Sequence, residues 1–262
     1  MIIENKTKRL LREGRIALGL ALRHSRTVEI AQIANACGFD WLFIDCEHSA
    51  MTVDTAAQIS AASLGFGITP IVRAPSLEHH HSTRALDNSA QGIVIPHVEN
   101  IVEAQKIADF TRFPPLGRRS VGGPLSQTHY SNQSLIETML LVNDETLVIA
   151  MIESPAGVDA AELIASVPGI DVLFIGTNDL CAEMGIPSQF DHPRVEDAYS
   201  KVISACRAYG KFAGMGGVYS PILMQKFIGM GVQFILAGSE LGFLMTSAKE
   251  RVGSLRELDK KR

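Results

Sequence analysis

The sequence has few cysteines, no long basic run and no long apolar run. The four cysteines form no CxxC pair, which argues against a disulfide-dense scaffold. A net charge of −4 without a basic run argues against nucleic acid or an anionic membrane surface as a partner. No uninterrupted apolar stretch reaches the length that spans a bilayer. We therefore expect neither a nucleic-acid nor a membrane partner.

The start of the sequence, MIIENKTKRLLREG, is charged and lacks the apolar core of a signal peptide. A cytoplasmic location is therefore expected. The 262 residues, 46% of them hydrophobic, are enough for a large core and match the length of one (β/α)8 barrel. Length alone also leaves two smaller domains open. Because no shift in composition marks a boundary, we expect residues 1–262 to form a single domain.

Eight short apolar runs alternate with helical segments, which is the pattern of an α/β barrel. The clearest unit is 146–180, where two Val-, Ile- and Leu-rich runs flank a helix that Ser154 caps and Pro168-Gly169 ends. The other six predicted strands are 16–22, 41–45, 69–73, 92–98, 211–216 and 234–237. Residues 111–134 break the pattern and predict a long functional loop. Residues 241–262 predict a C-terminal helix.

Acidic residues follow both strands of the 146–180 unit. Glu153 ends the first strand and Asp179 lies just past the second. Parallel neighbours joined by a right-handed crossover point the same way, so both carboxylates should reach the ligand-binding end of the barrel. Such a pair can bind a hard divalent cation, or one carboxyl group can act as general acid and the other as general base. The alternative, equally open from spacing, is that Glu153 caps a helix and Asp179 starts one.

Charged or titratable residues also lie at the ends of other predicted strands. Arg73 ends the third predicted strand and would present a planar fork to a carboxylate, unless it pairs with a local acid. His48 lies three residues beyond Asp45, whose carboxylate could fix the histidine tautomer and raise its basicity. Asp87 is a second candidate for that orienting role. His97 lies near the end of the fourth predicted strand, 92–98.

Lysine is absent from the carboxyl ends of the predicted strands. A Schiff-base aldolase needs an amine at such a position. Chemistry assisted by a metal ion, which acts as a Lewis acid on a carbonyl group, is therefore the simpler account of the acids and the histidine.

Four segments together resemble the HpcH/HpaI family of class II, metal-dependent pyruvate aldolases of 4-hydroxy-2-oxo acids. They are GFDWLFIDCEHS at 38–49, PIVR at 70–73, IES at 152–154 and IGTNDL at 175–180, and FPPLGRRSVG at 113–122 is similar to the family's proline-glycine-arginine loop. The resemblance covers nearly the whole chain. It implies a (β/α)8 TIM barrel whose C-terminal helix is exchanged between subunits, and a homo-hexamer built as a trimer of dimers.

The resemblance also implies roles for individual residues. Glu153 and Asp179 would bind Mg²⁺ or Mn²⁺, with Co²⁺ as a further candidate. Arg73 would bind the substrate carboxylate and His48 would be the catalytic histidine. The other implied site residues are Asp45 and Asp87, which assist the histidine, and Thr177 and Asn178, which help to hold the oxo acid.

Two positions depart from the family pattern. The family commonly has glutamine two residues before the metal glutamate, where this sequence has Met151. His97 replaces a residue that is usually apolar, and a histidine there is similar to macrophomate synthase, which decarboxylates oxaloacetate to a bound pyruvate enolate. Both residues are therefore expected at the substrate.

The expected function is a metal-dependent aldolase that cleaves or forms 4-hydroxy-2-oxo acids through a metal-stabilised pyruvate enolate, giving pyruvate and an aldehyde. An oxaloacetate-type decarboxylase that uses the same enolate is the first alternative. A phosphate-binding barrel isomerase rests only on the GMGG run at 214–217. A non-catalytic oxo-acid-binding barrel is the alternative from another class.

Overall fold

The computed structural model describes residues 2–260 as a closed barrel of eight parallel strands in sequence order. β8 pairs with β1 and closes the ring. The strands are β1 Ala17–Leu22, β2 Trp41–Asp45, β3 Thr69–Arg73, β4 Gly92–Ile95, β5 Leu147–Ile152, β6 Val172–Gly176, β7 Phe212–Gly216 and β8 Phe234–Ser239. The predicted TIM barrel is confirmed.

Helices surround this barrel. They are α1 Lys6–Arg12, α2 Glu29–Ala36, α3 Val53–Gly65, α4 His79–Asp87, α5 Ile101–Thr111, α6 Leu135–Glu145, α7 Pro155–Asp159, α8 Ala161–Ala165, α9 Thr177–Glu183, α10 Pro193–Ala208, α11 Pro221–Met230 and α12 Glu240–Asp259. The last two residues of the predicted C-terminal helix, 261–262, lie outside the described residues. No helix within 2–260 has both the length and the apolar character needed to cross a membrane.

The strands read as apolar runs because both of their faces are buried. One set of side chains, such as Leu42 and Ile44, packs against the helices, and the alternate set fills the barrel interior. Inside, Trp41 stacks on Phe234 with ring centroids 4.0 Å apart. A Cβ atom on Gly19 would lie 2.2 Å from the Trp41 ring, so glycine is needed on β1 at this level.

The amino-terminal end of the barrel is sealed by α1 and a buried ion cluster. Leu10 and Leu11 of α1 belong to the interior core. Beside them, Asp171 forms ion pairs with Lys8, at 3.1 Å, and with Arg112. Because this end is closed, a ligand can enter only from the carboxyl ends of the strands.

The structure differs from the sequence prediction in several local features. α6 was not predicted, and α9 corresponds to the helix that was only the alternative interpretation of Asp179. β4 ends at Ile95, and the predicted crossover helix is divided at Ala160. After β4, His97 adopts a left-handed backbone conformation with φ 49°. A non-glycine residue in that conformation ends the strand earlier than its apolar sequence suggests.

The predicted long loop follows α5 and is anchored to the body of the protein. Arg119 in this loop is almost completely buried, donates a hydrogen bond of 2.6 Å to Asp87 and stacks over Phe113 at 4.5 Å. The loop also contains a short 3₁₀ turn, Ser126–Thr128. It is therefore an ordered part of the structure.

Candidate active site at the carboxyl ends of the strands

A cavity of about 270 Å³ opens at the carboxyl ends of the strands. The polar side chains in its wall belong to Arg23, His48, Arg73, Thr177, Asn178, Asp179, Tyr219 and Ser239. They follow different strands of the ring, so a ligand in the cavity would contact many elements at once. This is the position where barrels of this kind place their active sites.

Glu153 directly follows β5, is 2% exposed, and has its carboxylate against Gly176 of the cavity wall. Its Oε2 accepts a hydrogen bond of 3.1 Å from the backbone N–H of His97. Burial, with a smaller contribution from the charge of Asp179, raises the pKa of the Glu153 carboxyl to about 7, although the His97 N–H favours the charged form. The Glu153 carboxylate packs against Gly176, which lines the cavity together with Asp179, so both acids belong to this part of the site.

The structure also addresses the helix-cap alternative for these two acids. Ser154, not Glu153, caps α7, because its hydroxyl accepts the N–H of Gly157 at 3.0 Å. Asp179 does lie in the first turn of α9, and it also lines the cavity. Its position in the first helical turn is therefore compatible with a place in the site.

Arg73 is buried beside Asp45, its register partner on β2. Its Nε and Nη2 donate to the two oxygens of Asp45 at 3.0 and 2.7 Å, and Nη1 is 3.1 Å from Oε2 of Glu47. The arginine thus pairs with local acids and lines the cavity at the same time. These bonds lower the pKa of Asp45, although its burial opposes them.

A second arginine shares the same carboxylate. Arg23, the residue after β1, donates from Nε to Oδ2 of Asp45 at 2.9 Å. Its own loop is held by Glu240, whose Oε1 accepts the backbone N–H groups of residues 23, 24 and 25 at 2.6, 2.7 and 3.2 Å. Burial of Glu240 opposes ionisation, yet these hydrogen bonds lower its pKa overall. The negative carboxylate therefore fixes the loop that carries Arg23.

His48 lines the cavity with its side chain 55% exposed. The acid nearest its ring is Glu47, with Oε2 3.7 Å from Nε2. Asp45 instead accepts the backbone N–H of His48, at 3.1 Å. The predicted contact between Asp45 and the histidine ring is therefore replaced by a contact to the main chain, because the Asp45 carboxylate is occupied by two arginines.

Asp87 was predicted to be a second acid beside His48. In residues 2–260 its carboxylate pairs with Arg119 of the long loop, and no contact with His48 is present. The reason is geometric: Asp87 is the last residue of α4, beside the long loop, and Arg119 offers it a buried guanidinium. Within one chain, Asp87 holds the loop.

The two departures from the family pattern occupy different places. Met151 lies in the cavity wall, with its sulfur 3.9 Å from Nη1 of Arg73. The imidazole of His97 is outside the wall and half exposed, with Nδ1 3.8 Å from Oε1 of Glu183. His97 therefore contacts the site through its backbone N–H to Glu153, whereas Met151 faces the cavity directly.

Thr177 and Asn178 begin α9 at the cavity wall. The hydroxyl of Thr177 is buried, donates to the carbonyl of Gly216 at 2.8 Å and lies 2.8 Å from the hydroxyl of Tyr199. The first N–H groups of a helix have no partner within the helix. This segment is therefore rigidly held and offers backbone donors near Asp179.

The sequence prediction missed three polar residues that the structure places in the cavity wall: Arg23, Tyr219 and Ser239. Arg23 lies at the end of a predicted strand just as Arg73 does, so the same rule applied to the first strand would have identified it. Tyr219 follows β7 by three residues and has no local signal. Glu47 lies within the segment already singled out but had no assigned partner.

A barrel that gathers an acid pair, a buried arginine and a histidine at its strand ends has the layout of a (β/α)8 enzyme. The comparisons with known proteins agree. Residues 21–247 match the family described as HpcH/HpaI aldolase/citrate lyase. The chain belongs to this family.

The relatives are similar along nearly their whole length. A 4-hydroxy-4-methyl-2-oxoglutarate aldolase of Hapsidospora irregularis is 32% identical, covering 97% of this chain and 96% of the relative. A 2-keto-3-deoxy-L-rhamnonate aldolase of Shigella sonnei is also 32% identical, with coverage of 97% and 94%. The predicted family and the predicted aldolase chemistry are confirmed by these relatives.

The solved structures give the same result. An HpcH/HpaI aldolase from Desulfitobacterium hafniense superimposes with a TM-score of 0.90 at 29% identity, covering 95% of this chain and 96% of that one. Macrophomate synthase superimposes with a TM-score of 0.84 at 23% identity, covering 100% and 93%. The second likeness shows a shared fold.

Proposed function

We propose that this chain is a divalent-metal-dependent aldolase that cleaves or forms 4-hydroxy-2-oxo acids, with pyruvate as one product and an aldehyde or ketone as the other. The observation that carries the proposal is the pair formed by buried Glu153 and cavity-lining Asp179. The membership of the family and the names of the two aldolase relatives support it.

The acid pair fits a hard cation. Within the described residues, no lysine or arginine forms an ion pair with Glu153 or Asp179, in contrast to Asp45. No third His, Cys, Asp or Glu of that part of the chain joins them, so water and substrate oxygens would complete the shell. Mg²⁺ or Mn²⁺ would suit two carboxylates best, with Co²⁺ as a further candidate. The bound ion would supply the Lewis acid that draws electrons from a 2-oxo group.

The arginine would bind the substrate, and the histidine would act as the general base. Arg73, fixed by two hydrogen bonds to Asp45, would hold the oxo acid by its negative oxygens. His48, at the cavity wall, would take the proton from the C4 hydroxyl as the C3–C4 bond breaks. The electron pair of that bond stays with the three-carbon half, and C3 is then protonated. The products are pyruvate and a carbonyl compound.

The supporting residues prepare these groups. Glu47 contacts both Arg73 and His48, so it would orient the base in the role predicted for Asp45. The backbone at Thr177 and Asn178 would hold the oxo acid beside Asp179. Met151 offers Arg73 only a thioether, which is a weak acceptor, so Nη1 of the arginine, which faces Glu47 on one side, would have its other N–H group for substrate.

The decarboxylase alternative uses the same acids and the same arginine. The decarboxylase alternative rests on His97, whose imidazole lies outside the cavity wall. Pyruvate release from oxaloacetate would measure this decarboxylase activity directly. A chain that binds pyruvate but turns over none of the substrates would instead be a non-catalytic oxo-acid-binding barrel.

The proposed assembly is a homo-hexamer, a trimer of dimers, with α12 exchanged between subunits. The support is that α12 has no buried residue within one chain and exposes a series of large apolar side chains. The remaining proposals are a cytoplasmic location and a small-molecule oxo-acid partner, without nucleic acid or membrane.

The test measures pyruvate release from a panel of 4-hydroxy-2-oxo acids, with and without a chelator and with Mg²⁺, Mn²⁺ or Co²⁺ restored. We expect activity only with metal, and Glu153→Ala should remove both activity and metal binding. Glu162→Ala, at an exposed position on α8, is the matched control. A wild-type enzyme that stays active in the chelator would overturn the proposal.

A further inference from the structure

Arg23 is a cation at the cavity that the proposed mechanism does not use. Its Nε is bound to Asp45, and no hydrogen bond from its two Nη atoms is present within residues 2–260. The side chain is 46% exposed and lines the cavity. The outer edge of this guanidinium is therefore open to a ligand.

The position of Arg23 is fixed before any ligand binds. Glu240 holds the backbone of the loop at residues 23 to 25, and Asp45 holds the guanidinium. Asp45 has no exposed surface and also binds Arg73, so one carboxylate sets the distance between two arginines. Their bonding nitrogens share a single oxygen and lie within about 6 Å of each other, since each hydrogen bond is about 3 Å long. The Arg23 side chain therefore loses little conformational freedom when a ligand binds.

The order of the strands places Arg23 opposite the acid pair. Arg23 follows β1, Arg73 ends β3 and Glu153 follows β5, so half of the ring of eight strands separates the first from the last. Arg73 lies between them. A ligand whose oxo-acid end lies at Glu153 and Asp179 would therefore extend past Arg73 toward Arg23.

We propose that Arg23 binds a second carboxylate, and that the substrates of this chain are dicarboxylic oxo acids in which the half beyond C4 also carries a carboxylate. This inference rests on the proposed function and narrows its substrate class. A guanidinium fork matches a carboxylate, and a charge-assisted pair in a half-enclosed cavity favours the charged ligand over a neutral one. The retro-aldol product released beside pyruvate is then itself an oxo acid.

The test compares two probes of equal chain length, 2-oxoglutarate and 2-oxopentanoate, which differ only in the distal carboxylate and cannot undergo the cleavage. Calorimetry in the presence of Mg²⁺ gives the ratio of their Kd values. We expect wild type to bind 2-oxoglutarate about 10- to 100-fold more tightly, a size typical of a hydrogen-bonded charge pair. Arg23→Gln should bring the ratio close to one, and Arg23→Lys should retain part of the preference.

The control is Arg15→Gln, which removes the same charge just before β1, at the opposite end of the barrel. It should keep the wild-type ratio. Equal binding of the two probes by wild type would overturn the inference. So would a ratio of the two Kd values that stays the same in Arg23→Gln because both affinities fall together. The second result would mean that Arg23 only positions Asp45. Because neither probe is cleaved, a failure of the aldolase assay is a separate outcome.

Discussion

A Cβ atom on Gly176 would lie 2.5 Å from Oε1 of Glu153. No real Cβ atom is found so close to an oxygen, so the carboxylate occupies space that only glycine leaves free on β6. Gly176→Ala should therefore displace Glu153 and weaken metal binding and kcat/KM by about 10- to 100-fold, the range for residues that orient metal ligands. Metal titration of the purified variant, followed by calorimetry, measures the effect.

The matched change is Gly229→Ala on α11, where a Cβ atom meets nothing within 4 Å. It should leave metal affinity at the wild-type value. Unaltered metal affinity in Gly176→Ala would show that Glu153 is not held at the position in which it binds the ion.

The Gly176 contact also shows why part of the site was predictable and part was not. Glu153, Asp179 and Arg73 lie at the ends of strands that are clear apolar runs, and parallel strands bring their carboxyl ends together whatever the details of packing. The need for glycine at 176 depends on the distance between two neighbouring strands. That distance cannot be obtained from the spacing of residues in one chain segment.

The same distinction applies to His48 and to the fold. The sequence separation of three residues between Asp45 and His48 predicted a side-chain contact, but Arg73 competes for the carboxylate from the neighbouring strand. α6 was missed because its apolar residues follow a loop that breaks the pattern, and its exposed face is itself apolar at Leu135 and Ile136. The first case was decided by a contact from a neighbouring strand, and the second by a helix whose local pattern is weak.

Asp87 gives a test of whether its role is structural or catalytic. Asp87→Asn leaves the buried guanidinium of Arg119 without an anion, which should lower the free energy of unfolding by about 3 kcal/mol. Hydrogen exchange should rise in residues 113–134, because Arg119 anchors that loop. The pH dependence of kcat/KM should keep its wild-type midpoint. A shifted midpoint with normal exchange in the loop would instead support the orientation of His48 by Asp87.

The ion cluster at the closed end of the barrel predicts how stability depends on pH. Burial raises the pKa of Asp171, but the charges of Arg112 and Lys8 outweigh it, so the pKa lies below its usual value. A lowered pKa means that the unfolded chain binds a proton more readily, and stability is lost as pH falls through the folded-state pKa. The contribution is present above about pH 4, the usual pKa of an aspartate.

Asp171→Asn should therefore destabilise the protein by about 3 to 5 kcal/mol at pH 7, since it leaves two buried cations unpaired. The difference from wild type should shrink as pH falls from about 4 toward the lower folded-state pKa, because Asp171 is protonated in the unfolded chain before it is protonated in the folded one. Urea unfolding at several pH values measures it. Asp159→Asn, an exposed acid that pairs with Lys201, should show almost no difference at any pH. If the free energies of unfolding of Asp171→Asn and wild type differ by the same amount at every pH, charged Asp171 is not the source of the stability.

α12 presents an apolar stripe that a single chain leaves uncovered. Its exposed members that recur at helical spacing on one side are Leu241, Leu244, Met245, Val252 and Leu255. Within one chain this twenty-residue helix has no buried residue and packs only near its start, where Phe243 lies 6.1 Å from Phe39 between ring centroids. Packing supplies most of the stability of protein helices. A second copy of the chain is the occupant that an exchanged helix would meet.

If the proposed hexamer forms through this stripe, Leu244→Asp combined with Leu255→Asp should reduce it to smaller species. Burying two carboxylates in an apolar contact costs far more than the contact gains, so the association equilibrium shifts toward free chains. Light scattering during serial dilution measures the mass, and circular dichroism should show whether α12 loses helix when its partner is removed. Glu250→Lys also changes the net charge by two, with the opposite sign, on the opposite side of α12, and it should leave the mass unchanged. A wild-type monomer, or a double variant of unaltered mass, would mean that the stripe is not the contact between subunits.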